Sequence, residues 1–237
     1  MSKYYYCPFP GHKDGQLSNT KKAYAPKNGL CVELVSCYDP VENDKDGSPA
    51  LTAVKAGDLI YLNAHGLNSQ PGTIQAKFKE PSGCGFFAPT VIRQMKAGDL
   101  AMQMVKYDGL PDGTEGSPIY IKCLICYAGG PDLNAESEEA LLGSEEGKKH
   151  VLKSARGRFA NLLATALREQ GRSHIMVGGY PGEIKARPKK VASLWVESGG
   201  IERMPRFTKL SGQKAAAWFD MNGNLYYKSE KKTFTLI

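Results

Sequence analysis

A thiol and an imidazole stand in matching contexts in this sequence: His65 ends the apolar run 58–64 and precedes Gly66, while Cys126 ends the apolar run 118–125 and precedes Tyr127, Ala128, Gly129 and Gly130. Thiolate is the nucleophilic form of cysteine, and imidazole, which titrates near neutrality, is the side chain best suited to exchange protons with it. Such a pair can form a thioester with an acyl carbon and then resolve it. Gly66 allows a sharp turn and a close approach of substrate to backbone. Its N–H and that of Cys126 are the candidate donors to the oxyanion of a tetrahedral intermediate, and losing one such donor typically costs about 2.7–4 kcal/mol in the barrier.

The elements that must position these residues are read from apolar patterning. Residues 30–38, rich in Leu, Val, Cys and Tyr and closed by Asp39-Pro40, read as a first strand. Residues 58–64 and 118–126 read as buried second and third strands, and 174–180 as a further short one. Residues 67–87 read as a Gly, Pro and Ser loop, and 89–95, opened by Pro89, as a short helix. Leu152, Ala155, Phe159, Leu162, Leu163, Ala166 and Leu167 recur every three or four residues, which predicts one amphipathic helix stopped by Gly171. Strands alternating with helices predict an α/β fold with a mostly parallel sheet, whose sites lie at the carboxyl ends of the strands. Residues 1–27 carry no periodicity and read as an irregular N-terminal arm. The segment 216–228 reads as a β-hairpin turned at Asn222-Gly223, within a small basic β appendage. The expected organisation is therefore an arm over 1–27, a catalytic core over 28–182 and a β-rich extension over 183–237.

The other reactive side chains carry less. The six cysteines (Cys7, Cys31, Cys37, Cys84, Cys123 and Cys126) fall partly inside apolar runs, where reduced cysteine acts as a small hydrophobe. Cys123 and Cys126 form C-x-x-C, yet redox pairs of this kind open a helix, and residues three apart on a strand face opposite sides. No second C-x-x-C or histidine pair accompanies them, and Cys7 with His12 is half a zinc site, so no metal is expected. His174, His150 and His12 lie in strand-start or polar contexts. Asp132, Glu136, Glu138, Glu139, Glu145 and Glu146 read as a solvated acidic loop.

A chain of 237 residues, 41% hydrophobic, buries a sizeable core without staples, and no run is long and apolar enough to span a bilayer. The N-terminus lacks the pattern of a signal peptide, so the expected location is the cytoplasm, or a host cell reached by a signal-independent route. The net charge of +7 is concentrated: residues 183–237 hold eleven Lys and Arg against five Asp and Glu, which leaves +6 there and +1 elsewhere. Such a tail faces solvent, or a polyanion.

The blocks 58–66 and 121–129 resemble the two signature blocks of the caspase-like cysteine peptidases, apolar strands ending in His-Gly and in Cys followed by small residues. The run 159–167 with Gly171, followed by 175–182, is similar to the helix and strand beyond the nucleophile in the cysteine protease domains of bacterial toxins. This likeness covers residues 29–182. The resemblance implies a caspase-like α/β fold and a thiol endopeptidase, acting on a protein or peptide substrate and able to process itself. In it Cys126 is the nucleophile, His65 the acid/base, and Gly66 and Cys126 the oxyanion donors, with no required cofactor. It also implies inositol hexakisphosphate as an activator, bound by a basic surface including Lys148, Lys149, Lys153, Arg156, Lys185, Lys189, Lys190, Lys228, Lys231 and Lys232, beside a flap at 218–234. The extra N-terminal residues depart from the toxin domains and fit a free-standing effector or an intracellular protease.

Two other classes use the same features. A Cys-His acyltransferase or glutamine deamidase shares the thioester and differs only in the acceptor. A binding protein on this fold would use its basic tail on a polyphosphate or, less favoured, nucleic acid, with salt-steep affinity indifferent to Cys126.

Overall fold

The computed structural model describes residues 1–11, 17, 31–39, 44–45, 47–79, 90–129, 143–180, 184–187, 193–198, 206–209, 217–220, 222–228 and 234–236. In chain order its strands are β1 (Lys3–Cys7), β2 (Val32–Val35), β3 (Tyr38–Asp39), β4 (Asp44–Lys45), β5 (Leu59–Asn63), β6 (His65–Leu67), β7 (Gln70–Lys79) and β8 (Thr90–Lys96). Helix α1 (Ala97–Met102) runs on into a π-helical turn, Gln103–Tyr107, and β9 (Ile119–Leu124), α2 (Glu145–Arg156), α3 (Phe159–Glu169) and β10 (Ile175–Gly179) complete the centre. Six short strands follow: β11 (Ile184–Arg187), β12 (Ser193–Ser198), β13 (Arg206–Lys209), β14 (Ala217–Phe219), β15 (Leu225–Lys228) and β16 (Phe234–Leu236).

The main sheet has the order β16-β15-β14-β10-β9-β5-β1-β2. Strands β2, β1, β5, β9 and β10 are parallel, and β14, β15 and β16 extend the sheet antiparallel. The fold is thus α/β with a mostly parallel centre. β6, β7 and β8 form a second sheet, β11, β12 and β13 a third, and β3 pairs with β4.

The two faces of the main sheet have different partners. One packs Tyr4, Tyr6, Ile60, Leu62, Ile121, Cys123 and Val177 against Leu100 of α1 and Leu163 and Leu167 of α3. The other carries a smaller cluster of Tyr5, Leu124, Tyr180 and Ile184, flanked by half-buried Tyr61, Cys126 and Trp218. Alternation along each strand assigns neighbours to opposite faces.

A buried polar knot fixes the carboxyl ends of β1 and β2. Asp108, fully buried, accepts hydrogen bonds from the Tyr6 hydroxyl at 2.6 Å, the Ser36 hydroxyl at 2.8 Å and the Cys37 N–H at 2.9 Å. The Gln103 amide adds donation to Ser36 Oγ and to the Pro8 carbonyl, both at 2.8 Å. A carboxylate out of water survives only with such a full set of donors. Burial, then the facing Asp108 charge, drives the Tyr6 phenol far above its ordinary value.

Several sequence expectations are corrected here. Residues 3–7 of the supposed irregular arm are a strand inside the main sheet, paired on both sides, with Tyr5 and Tyr6 buried. Of the loop expected over 67–87, the described part up to residue 79 belongs to an antiparallel hairpin of β6 and β7, and 80–87 lie outside the described residues. The expected helix over 89–95 is strand β8, and the helix begins only at Ala97. The single helix expected through 152–167 is two: Gly157 caps α2 and Arg158, with φ −88° and ψ 159°, is extended before α3. The C-terminal hairpin is present, with Gly223 at φ +78°, but it joins the main sheet through β14 and is no appendage to it.

Candidate functional site

The register of β5 and β9 brings His65 and Cys126 to one rim. Asn63 stands opposite Leu124 in this parallel pair, so His65 and Cys126 each follow two residues beyond the last matched position. Neighbouring strands lie about 4.7–4.9 Å apart, so the two chain exits are adjacent. Gly66 closes the gap further. A Cβ placed there would overlap the Cys126 carbonyl oxygen and lie 2.7 Å from Ile125 Cγ2, so only glycine lets the backbone after His65 lie against the Cys126 turn.

His65 is half-buried and opens β6, where it stands opposite Gln75 of β7. That hairpin is held by β8 along seven residue pairs and by α3 and its N-cap: Leu162 of α3 lies against Gly72, and the guanidinium of Arg158, just before α3, donates to Asn68 Oδ1 at 3.0 Å. The histidine therefore sits at the root of a braced hairpin.

The turn carrying Cys126 is tied down just past the cysteine. Ala128 accepts from the Ala160 N–H of α3 at 3.0 Å, and the Gly129 N–H donates to the Tyr180 carbonyl at 2.9 Å. Just before them Tyr127 has φ 59°, a left-handed conformation that costs a non-glycine residue on the order of 1 kcal/mol. Backbone strain of this kind persists where surrounding contacts over-determine it, as at a site whose geometry matters.

Cys123 and Cys126 face opposite sides, as strand geometry requires. Cys123 is fully buried on the helix side, where desolvation pushes its thiol far above the ordinary value. Cys126 is half-buried on the other side, and its sulfur accepts a hydrogen bond from the Ile184 N–H at 3.2 Å. A thiol and an imidazole on one rim, beside backbone amides, can perform nucleophilic attack and proton transfer on an acyl group.

The remaining predicted residues divide. Lys149, Lys153 and Arg156 are exposed along α2 at spacings of four and three, hence on one face, and Lys148 is half-buried with its ammonium 2.8 Å from Glu145. Lys185 and Lys228 lie in β11 and β15, while Lys189, Lys190, Lys231 and Lys232, together with His12, Cys84 and residues 130–142, lie outside the described residues. His174 is at the opposite, amino-terminal end of β10, with its Nδ1 3.0 Å from Asp112 Oδ2. Burial alone would raise the Asp112 carboxyl, but bonds from the His174 ring and from the His174, Gly113 and Ser173 amides outweigh it and hold the group below its usual value. Cys7, Cys31, Cys37, Cys123 and Cys126 form no disulfide. Among the described residues no cluster of three His, Cys, Asp or Glu could hold a metal, and no helix is long and apolar enough to cross a membrane.

Sequence reading missed Ile184 as a neighbour of the thiol, and nothing in its local pattern marks it. No known family model matches the chain, and no curated protein matches it.

Proposed function

We propose that the chain is a caspase-like cysteine endopeptidase with Cys126 as nucleophile and His65 as acid/base. The observation that carries this reading is the shared rim: two parallel neighbouring strands, in register, end in Cys and His-Gly, with Gly66 packed on the Cys126 carbonyl. The Cys126 thiolate attacks the scissile carbonyl, and the oxyanion is held by the N–H groups of Gly66 and Cys126. Collapse expels the amine, which takes its proton from His65, and leaves a thioester. Water then attacks the thioester with His65 accepting its proton, and the thiol is released. A histidine at the root of a braced hairpin and a cysteine turn tied down just past Cys126 suit this chemistry, because reacting groups held in place before substrate arrives lower the barrier.

The test is to incubate the protein with a library of natural peptides in ¹⁸O-water, with and without inositol hexakisphosphate, and to sequence the products by mass spectrometry. New carboxyl termini carrying ¹⁸O, sharing one residue before the cut and absent with Cys126→Ala, are the expected result. Transfer of the acyl group to an added amine without hydrolysis would replace endopeptidase by acyltransferase. Identical products from Cys126→Ala would remove the thiol from the chemistry.

A further inference from the structure

The sulfur of Cys126 lies against a backbone group that the scheme above does not use. The Ile184 N–H donates to Cys126 Sγ at 3.2 Å, and the Ile184 carbonyl oxygen is 3.8 Å from the same sulfur. Fifty-eight residues separate the two in the chain, so β11 is brought to the nucleophile by tertiary packing. The anchor is visible: the Ile184 side chain is buried in the cluster of Tyr5, Leu124 and Tyr180 against which Cys126 also packs. β11 is fixed on its other side by four antiparallel pairs with β12, Ile184 standing opposite Val196.

The two contacts act in opposite senses. An N–H donor favours the thiolate, whereas a carbonyl oxygen favours the protonated thiol. The donor is the nearer by 0.6 Å, the difference between 3.8 and 3.2 Å, and a bond to an ionised acceptor is roughly twice as strong as one between neutral groups. The net effect is toward thiolate. We propose that the Ile184 backbone amide is a positioning group for the nucleophile: it fixes the direction of the Cys126 sulfur at the rim and stabilises its ionised form. The assignment rests on Cys126 being the reactive thiol of the proposed function.

The other ionisable groups around the sulfur among the described residues are separable from this donor. His65 comes from β6, Lys122 from β9 with its ammonium 5.2 Å from the Tyr180 ring centre, Tyr61 from β5, Tyr5 from β1 and Tyr180 from beyond β10. Burial pushes the phenols of Tyr5 and Tyr61 up, so both stay neutral while a thiol ionises. His65 and Lys122 remain as the nitrogen-bearing side chains whose effect must be told apart from that of the donor. A through-space charge effect falls with salt, while that of a direct donor does not.

The experiment compares the pH profile of Cys126 carbamidomethylation, followed on its own peptide by mass spectrometry, in three proteins at low and high salt. These are the wild type, Ile184→Val, which keeps the amide, and a protein with an ester in place of the peptide bond that supplies the Ile184 N–H. The expected result is a profile unchanged in Ile184→Val. In the ester protein it moves about one unit toward higher pH at both salt concentrations, about a tenfold loss of reactivity below the midpoint. Coincident profiles for the ester protein and the wild type would overturn the assignment. Should the ester protein fail to fold, the wild type alone decides. The Ile184 amide proton resonance must titrate together with Cys126 and lose that titration in Cys126→Ala, and a flat resonance overturns the proposal. Neither readout requires peptide cleavage. A shifted profile without proteolysis would reject the endopeptidase and keep the donor, and proteolysis with an unshifted profile would do the reverse.

Discussion

Gly66→Ala is the smallest change that separates the two arms of the rim. The added methyl would overlap the Cys126 carbonyl oxygen, sit 2.7 Å from Ile125 Cγ2 and lie 3.1 Å from the Cys126 carbonyl carbon. Contacts under about 3 Å cannot stand, and two of these three atoms are backbone, so no rotamer change relieves them. Reaching an ordinary separation requires β6 and the Cys126 turn to part by on the order of 1 Å. Overpacking of this kind costs about 1–3 kcal/mol in stability, and a displacement of about 1 Å at reacting groups costs about a hundredfold in rate. Urea unfolding should therefore show a loss of about 1–3 kcal/mol, and peptide cleavage by the folded variant should fall about a hundredfold. The control is Gly98→Ala in α1, where an added Cβ meets nothing within 4 Å and helix propensity should raise stability by about 0.5–1 kcal/mol. If Gly66→Ala matched the wild type in both stability and cleavage, the close packing of the two strand ends would carry no function and the reasoning from it would fail.

Three further outcomes follow from the same geometry. Tyr6→Phe removes the 2.6 Å donor to fully buried Asp108 and should cost about 1–3 kcal/mol in chemical denaturation, and a cost under about 0.5 kcal/mol would mean that the polar knot does not hold the strand ends. Cys123→Ser should lower stability through its buried hydroxyl while leaving Cys126 alkylation unchanged, and lost alkylation would revive a joint role for the two cysteines. Because the folded Asp112 carboxyl is held below its unfolded value, its contribution is fully present above about pH 4 and is lost as pH falls through the lowered folded value. The stability gap between wild type and Asp112→Asn should accordingly close on acidification, and a gap independent of pH would contradict the assignment.

The strands that carry the site were legible because one face of each is buried and the other half-buried, so they read as nearly continuous apolar runs, as at 58–64 and 118–126. Their order in the sheet supplied the neighbourhood of His65 and Cys126 without any side-chain information. β1 escaped because Lys3-Tyr4-Tyr5-Tyr6-Cys7 shows neither alternation nor an aliphatic run, although its tyrosines fill both faces of the sheet. β8 mimicked a helix: Val91, Ile92 and Met95 have helical spacing, whereas in the structure Met95 is buried against β7 and Ile92 is 51% exposed. The break between α2 and α3 was invisible because Ala155 and Phe159 keep helical phase across Gly157. The link between Cys126 and Ile184 depends on how β11 returns to the rim, which is a tertiary fact with no local signature.

The most direct test of the account is intact-mass labelling with peptide acyloxymethyl ketones bearing Asp, Asn, Leu, Lys or Arg at the cleavage position. The wild type should gain a single adduct with one member of the panel, mapped to Cys126, and both Cys126→Ala and His65→Ala should gain none. An adduct on another cysteine, or undiminished labelling of His65→Ala, would contradict the assignment of this rim as a cysteine peptidase site.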